Sequence, residues 1–219
     1  MSEGKQSKGF QIFQYVLLAL MLIVFPAGSW YYLNQGFDYR KTVMEELQVK
    51  DSLPELQFID YTGKILTNKE IEGNLIVAVF LSSKKGIGEA VIEERIAKLY
   101  DQFDKRSDFN LFIHLTGLDS AAFQTQSAAL LDRLELEDPS RCFILEGSEK
   151  IALSEYKIPL GTTALDDANW AVLIDENQYI RNFYQLDEEE NVKTMVQHIA
   201  LSLPKQKEKD LIFKRDAEK

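Results

Sequence analysis

The side chains that most often carry metal or redox chemistry are scarce in this sequence. It contains one cysteine, Cys142, and two histidines, His114 and His198, among 219 residues. One cysteine excludes an intramolecular disulfide, a Cys-x-x-Cys redox couple and a cysteine zinc site. Two histidines leave little for a histidine-rich metal site. No Gly-x-Ser-x-Gly elbow or Ser/His/Asp order is present, so the residues by themselves indicate no reaction.

The sequence around these three residues favours structural roles. Cys142 lies in an apolar stretch, where a free cysteine is typically a small buried hydrophobic residue and less often a reactive thiol or ligand. His114 also lies in an apolar stretch and is interpreted as a core or strand-end histidine. A displaced metal site that uses His114 and Cys142 is the alternative. His198 follows Gln197 and is predicted to face solvent.

A basic loop and two acidic runs are the remaining candidates for binding. The loop Lys84-Lys85-Gly86-Ile87-Gly88 could hold an anion if a helix begins after it. It lacks the G-x-x-x-x-G-K-[ST] pattern of a phosphate loop, so we interpret it as a flexible connection. Asp166-Asp167 and residues 188–190 could bind a hard cation weakly. They are more typical of a solvated loop and an acidic helix start.

The charge balance argues against a nucleic-acid binder. The chain has 25 Lys and Arg against 35 Asp and Glu, a net charge of −10. Proteins that bind nucleic acids need basic surface to neutralise phosphates. An acidic body instead favours basic or neutral partners over anionic lipid. The apolar content of 45% is sufficient for one core, and the length suits one domain with appendages.

A long uncharged segment near the N-terminus predicts a membrane anchor. No charged residue occurs between Lys8 and Asp38. Residues 10–33 are long enough to span a bilayer, which needs roughly 20 helical residues, and aromatic side chains lie near both ends. A cleaved signal peptide is the alternative, because Ala27-Gly28-Ser29 resembles a cleavage site. Basic residues flank the span evenly, so the short N-terminus, 1–9, is placed in the cytoplasm by its length alone.

Hydrophobic periodicity predicts the organisation of the rest of the chain. Residues 34–52 form a polar, partly helical linker, 53–204 a folded domain, and 205–219 a solvated charged tail. The predicted elements of the domain are strands at 56–59, 64–67, 75–81, 109–115, 142–145, 170–174 and 180–184, and helices at 92–103, 120–134, 148–156 and 192–203. Helices alternate with strands in the first half, and an antiparallel pair closes the sheet. This order predicts an α/β protein with a thioredoxin-like fold, whose central mixed sheet is flanked by helices and preceded by a β-hairpin.

Several short motifs in this arrangement are similar to those of one protein family, the SCO/SenC proteins. Leu53-Pro54 with Asp60-Tyr61-Thr62-Gly63-Lys64 resembles the family's P-x-F-x-x-x-D-x-x-G opening. Further similarities are Glu72-Gly73-Asn74, which resembles L-K-G-K, Leu145-Glu146-Gly147, which resembles F-L-T-G, and Leu173-Ile174-Asp175 with Ile180-Arg181, which resembles L-I-D-x-x-G-x-I-R. The resemblance covers residues 10 to about 203.

The resemblance implies a chemistry whose residues are missing here. SCO/SenC proteins are membrane-anchored thioredoxin-fold factors that assist copper-site assembly in cytochrome c oxidase. They use two cysteines after the first core strand and one histidine before the penultimate strand, a ligand set suited to copper and to dithiol redox work. Matching the sequences places Lys84 and Gly88 at the cysteine positions and Asp167 near the histidine position. A protonated lysine has no lone pair for a metal, and glycine has no side chain.

These observations predict a redox-inactive, non-catalytic SCO-like protein without a cofactor or a resident metal. We expect it to lie in the inner membrane through one helix, with its soluble domain on the periplasmic side. Its predicted partner is a protein of a respiratory membrane complex, which it would serve as an assembly factor or accessory subunit. Two alternatives are an active copper chaperone for cytochrome c oxidase with a displaced site, and a single-cysteine thiol enzyme. The latter needs Cys142 to be exposed and of low pKa.

Overall fold

The chain divides into two compact units, Met1–Glu46 and Leu47–Lys219. A computed structural model of the protein describes residues 8–55, 57–85, 87–161 and 164–203. The predicted charged tail, 205–219, lies outside the described residues.

A single long helix, α1 (Lys8–Glu46), makes up the described part of the first unit. Its segment Ile12–Glu46 is long and apolar enough to cross a membrane, judged by length and composition. Pro26 lies inside the helix, as membrane helices tolerate more readily than soluble ones. The helix continues to Glu46, so the first part of the predicted linker is helical, as expected.

The second unit is built on a six-stranded mixed sheet in the order β1-β8-β7-β4-β5-β6. Strands β4, β5 and β6 are parallel to one another, whereas β7, β8 and β1 each join their neighbour in antiparallel orientation. The strand bounds are β1 (Asp51–Ser52), β4 (Leu75–Ser82), β5 (Phe109–Thr116), β6 (Cys142–Glu146), β7 (Trp170–Ile174) and β8 (Tyr179–Gln185). Strand β1 lies in the predicted linker, and its two residues are too few for a recognisable alternation.

A β-hairpin packs beside this sheet as a separate two-stranded unit, formed by β2 (Gln57–Ile59) and β3 (Ile65–Thr67). Its turn is fixed by Asp60, whose Oδ1 accepts the backbone N–H groups of Thr62 at 2.9 Å and Lys64 at 2.8 Å. The N–H of Tyr61 donates to the carbonyl of Ile144 at 3.0 Å. The hairpin therefore covers part of the free edge of β6.

Both faces of the sheet are covered. The helices of this unit are α2 (Asn68–Ile71), α3 (Ala90–Phe103), α4 (Ser120–Leu134), α5 (Glu149–Ser154) and α6 (Glu189–Ser202). Helices α3, α4 and α6 cover one face, the helical face, whereas the hairpin and the short helices α2 and α5 cover the other, where Ile71 and Ala152 share a core cluster with Phe58. On the helical face, the rings of Tyr100 and Phe103 in α3 lie 6.4 and 5.3 Å from that of Phe109. On the hairpin face, Phe58 packs against Phe112.

Burial of the central strands follows from this two-layer cover. Every residue of β4 is buried, as predicted from its continuous apolar run. Helix α4 has the bounds predicted from the sequence, 120–134. Its N-cap is Asp119, whose carboxylate accepts the N–H of Ala122 at 2.8 Å. A carboxylate at this position satisfies a free N–H and also favours the positive end of the helix dipole.

Candidate functional site

The loop that follows β4 occupies the carboxyl end of the parallel strands, where ligands bind in open α/β sheets. It folds back on its own strand, because the N–H of Ile87 donates to the carbonyl of Ser82 at 3.0 Å. The hydroxyl of Ser82 accepts the N–H of Lys84 at 3.0 Å. The N–H of Ser83 extends the ladder to the carbonyl of Thr116 at 3.0 Å. Backbone bonds therefore hold the start of this loop.

A buried asparagine ties the loop to the segment before β7. The Asn169 side chain is completely buried and accepts the N–H of Ser82 at 3.4 Å. Its amide group donates to the carbonyl of Lys85 at 3.5 Å and to Asp187 Oδ1 at 3.2 Å. The Lys85 ammonium donates to the carbonyl of Asp167 at 3.2 Å and lies 3.9 Å from Asp187 Oδ1. Hydrogen bonds of the Asn169 and Lys85 side chains therefore hold this loop against the segment that precedes β7.

The far end of the loop is held by a buried ion pair. Gly88 N–H donates to Glu93 Oε1 at 2.7 Å, and Arg133 donates two bonds to the same carboxylate at 2.8 and 2.7 Å. Glu93 is only 6% exposed, so the bidentate arginine stabilises a carboxylate that burial would otherwise penalise. The pKa of Arg133 is raised by its hydrogen bonds to Glu93. Gly88 has a φ of +83°, a left-handed conformation in which any other residue is strained.

The structure places the three positions that the sequence comparison matched to the SCO/SenC ligands at this one end of the sheet. Lys84 and Gly88 lie on the loop, and Lys85 links the loop to Asp167 in the 3₁₀ turn Leu165–Asp167. These residues do not fit copper, since they offer an ammonium, a glycine and one hard carboxylate where soft ligands are needed. Within the described residues, no group of three or more His, Cys, Asp and Glu side chains could hold a metal.

His114 belongs to an aromatic cluster in the core and not to this end of the sheet. It is fully buried, stacks on Phe80 with ring centroids 4.5 Å apart, and contacts Phe58. Its Nδ1 donates to the carbonyl of Glu146 at 3.3 Å, and its Nε2 accepts from the hydroxyl of Tyr156 at 2.8 Å. Burial lowers the pKa of His114 to about 4, so the ring is neutral near pH 7 with both nitrogens engaged.

Cys142 is buried on the other side of the sheet from His114. In the parallel β5–β6 pair, Cys142 is level with Leu111, whereas His114 is level with Leu145. Three residues separate the two positions along the strands, about 10 Å. Because successive side chains alternate between faces, Cys142 and His114 point to opposite faces. Burial also raises the pKa of the Cys142 thiol to about 12, so it is neither a nucleophile near neutral pH nor a partner for His114.

The structure contradicts the prediction that His198 faces solvent. Its side chain is 1% exposed, and its Nδ1 lies 2.7 Å from the hydroxyl of Tyr184 on β8. His198 follows the buried Met195 by three residues and precedes the buried Ile199 by one. Helical periodicity therefore places it on the inner face, and the exposure of its neighbour Gln197 is no guide.

The acidic run at 188–190 begins a helix, as predicted. Glu188 is the N-cap of α6, and Glu189 pairs with Lys193 one turn later at 2.8 Å. The hydrogen bond from Lys193 lowers the pKa of Glu189. The residues that do fix the loop, Asn169, Asp187, Glu93 and Arg133, were not singled out from the sequence. Glu93 and Arg133 are 40 residues apart, and no local pattern pairs them.

Comparison with solved structures identifies the fold. A SCO1/SenC family lipoprotein from Bacillus anthracis str. Ames has 17% sequence identity and a TM-score of 0.54, and the alignment covers 69% of this chain and 95% of that one. BsSco, a member of the Sco family of cytochrome c oxidase assembly proteins described with a disulfide switch, has 14% identity, a TM-score of 0.54 and coverage of 71% and 96%.

A thiol–disulfide interchange protein, DsbE from Chlorobium tepidum, is similar to the same extent, with 13% identity, a TM-score of 0.53 and coverage of 72% and 99%. No protein-family model and no curated protein sequence gives a significant match. The predicted resemblance to Sco proteins is therefore confirmed at the level of structure. The chain has the thioredoxin-like fold that Sco proteins share with thiol–disulfide interchange proteins.

Proposed function

We propose that this chain is a membrane-anchored SCO-like protein that acts by binding another protein and performs no chemistry of its own. It would serve a respiratory membrane complex as an assembly factor or an accessory subunit. The fold supports a kinship with BsSco, whose family assembles cytochrome c oxidase. The copper and dithiol activities of that fold are not carried over, because their ligands are replaced.

One observation carries the proposal: the loop after β4 is closed by hydrogen bonds where a reactive loop would need free ligands. Asn169, which is completely buried, binds both Ser82 and Lys85. Glu93 holds Gly88 at the other end. A loop without thiols that these hydrogen bonds hold in place, in contrast to the flexible connection interpreted from its sequence, is suited to presenting a defined surface to a partner, since preorganisation lowers the cost of binding.

The N-terminal helix supports a membrane location. Helix α1 is long enough and apolar enough to cross a bilayer. We assign it as a retained anchor in the inner membrane, with the thioredoxin-like unit on the periplasmic side. Reporter fusions after Leu203 test the side: a periplasmic reporter is expected to be active and a cytoplasmic one inactive, and the reverse result contradicts the assignment.

The two alternative functions require contacts that are unfavourable here. A displaced copper site would need Cys142 and His114 together, yet they point to opposite faces of the sheet. A single-cysteine enzyme needs an exposed thiol of low pKa, whereas burial raises the pKa of Cys142 to about 12.

Copper binding and disulfide reduction by the purified full-length protein test the lack of chemistry. Titration with Cu(I) against a competing chelator is expected to give no stoichiometric binding, and an insulin-type disulfide substrate is expected to remain oxidised. The matched variants are Cys142→Ser and His114→Gln. One copper per chain that is lost in either variant would overturn the proposal in favour of a displaced site.

The partner is sought by crosslinking in native membranes followed by mass spectrometry. We expect peptides of the 83–88 loop to be crosslinked to subunits or assembly proteins of a respiratory complex. The same preparation from a strain that lacks this chain is the control. If no membrane complex is recovered, the proposed binding function is contradicted, even if the purified protein binds no copper.

A further inference from the structure

A surface groove lies between α3 and α6, on the helical face of the sheet. It has a volume of about 590 Å³. Its apolar lining includes the buried Leu99 of α3 and the half-buried Val192 and Val196 of α6, and the exposed Val91 lies at the start of α3. Apolar side chains in a groove of this size are suited to receiving a short hydrophobic segment.

Charges of both signs form the rim of the groove. Glu94 and Lys98 pair one turn apart on α3, and Glu189 and Lys193 pair at 2.8 Å on α6. Arg95 also lines the groove and donates to the carbonyl of Asp187 at 3.0 Å. The best complement to such a rim is an apolar segment flanked by alternating acidic and basic residues.

The chain itself contains a segment of this composition directly after the groove. Helix α6 is one wall of the groove, and residues 204–219 follow the last described residue. Ten of these sixteen residues are Lys, Arg, Asp or Glu, and their one run of apolar residues is the triplet Leu211-Ile212-Phe213. A solvated tail has no need of this triplet, whereas a docking segment would use it as an anchor.

The distance between the end of α6 and the groove permits this docking. The 14 residues of α6 are about 21 Å long at the helical rise. The segment 204–210, which separates α6 from the triplet, spans up to about 25 Å when extended. The triplet can therefore reach any position along the groove from its own chain.

We infer that the groove between α3 and α6 is an intramolecular docking site for the C-terminal triplet Leu211-Ile212-Phe213. Docking covers Val192 and Val196 and places the flanking charges of the tail beside Glu94–Lys98 and Glu189–Lys193. The inference does not depend on the proposed function, since neither the loop after β4 nor the membrane anchor takes part.

Crosslinking within the full-length, detergent-solubilised chain tests this docking. In a Cys142→Ser background, one cysteine is placed in the tail by Ile212→Cys and one in the groove by Val196→Cys, and a short bismaleimide joins them. The matched control replaces the groove cysteine with Ala200→Cys, which lies on the same helix, is exposed and does not line the groove. Ala200 is nearer the start of the tail, so a tail free in solution would react there at least as fast.

The expected result is a monomeric crosslinked product that forms about tenfold faster from Val196→Cys than from Ala200→Cys, because docking raises the local concentration of the tail at the groove. Val192→Cys should give the same advantage. Adding Phe213→Glu should abolish it, whereas Ala217→Glu, outside the triplet, should not. Equal rates, faster reaction at Ala200→Cys, or dimeric products in place of monomeric ones would each overturn the inference.

Discussion

Protonation of His114 should control a measurable part of the stability of the thioredoxin-like unit. Burial lowers the pKa of His114 from its usual 6.5 to about 4. The unfolded chain therefore binds a proton near pH 6.5, whereas the folded chain binds it only near pH 4. Above pH 6.5 both states are neutral and the full stability is present. As the pH falls from 6.5 towards 4, only the unfolded state is protonated and stability is lost.

The size of the effect follows from the two pKa values. One pKa unit corresponds to about 1.4 kcal/mol, so the complete loss from 6.5 to about 4 amounts to about 3 kcal/mol. Most of this loss of stability occurs before the pH has fallen to 4, and the loss between pH 7 and pH 5 is about 2 kcal/mol. The contacts of His114 are the aromatic rings of Phe58, Phe80 and Tyr156 and a backbone carbonyl, so no neighbouring charge compensates the imidazolium.

Urea unfolding of the full-length protein, followed by tryptophan fluorescence at pH 7, 6 and 5, measures this loss. The comparison is His114→Gln, whose amide can still donate to the Glu146 carbonyl and accept from Tyr156 but does not titrate. The variant is expected to be less stable than the wild type at pH 7, and this difference should shrink by about 2 kcal/mol at pH 5. His198 is present in both proteins, so its contribution cancels in the comparison. Parallel pH profiles for the two proteins would refute a neutral, buried His114.

Three other perturbations address the thiol and the ties that hold the loop. Cys142 should react with a maleimide at pH 8 only after urea is added, because its pKa is raised to about 12; rapid labelling of the native protein would contradict its burial. Glu93→Gln should cost about 1–2 kcal/mol in urea unfolding, since it weakens a buried pair whose arginine is partly exposed, whereas the adjacent exposed Glu94→Gln should leave the midpoint unchanged. Asn169→Ala should cost about 1–3 kcal/mol and speed tryptic cleavage in the loop, whereas the exposed Asn177→Ala should do neither.

Elements with a strong local signal were predictable from the sequence. The apolar run of β4 and the helical spacing of α3 fix their type, because each reports the face that a segment must bury. The long apolar stretch of α1 likewise predicts a helix of membrane-spanning length. Strand β1 was not predictable, since two polar residues, Asp51 and Ser52, join the sheet only through backbone hydrogen bonds that β8 makes available.

Some features of the candidate site were likewise predictable from the sequence, and others were not. The resemblance to SCO/SenC proteins predicts that Lys84, Gly88 and Asp167 replace two thiols and an imidazole, a prediction that needs only residue types. The sequence could not show that Asn169 and Glu93 close the loop. Asn169 lies 87 positions from Ser82 in the sequence, and Glu93 lies 40 positions from Arg133. Glu93 also ties Gly88 of the loop to the following helix. These contacts exist only after the strands and helices pack.

The sequence by itself determined which reactive groups the protein has, namely one thiol and two imidazoles. It also predicted an apolar helix and an alternating α/β body. The tertiary structure alone decided where those groups point. Cys142 and His114 are kept apart because the register of β5 and β6 places them on opposite faces, and a shift of one residue would reverse a face. His198 is buried because α6 turns it towards Tyr184. Register and packing are set by the whole core, and no local segment encodes them.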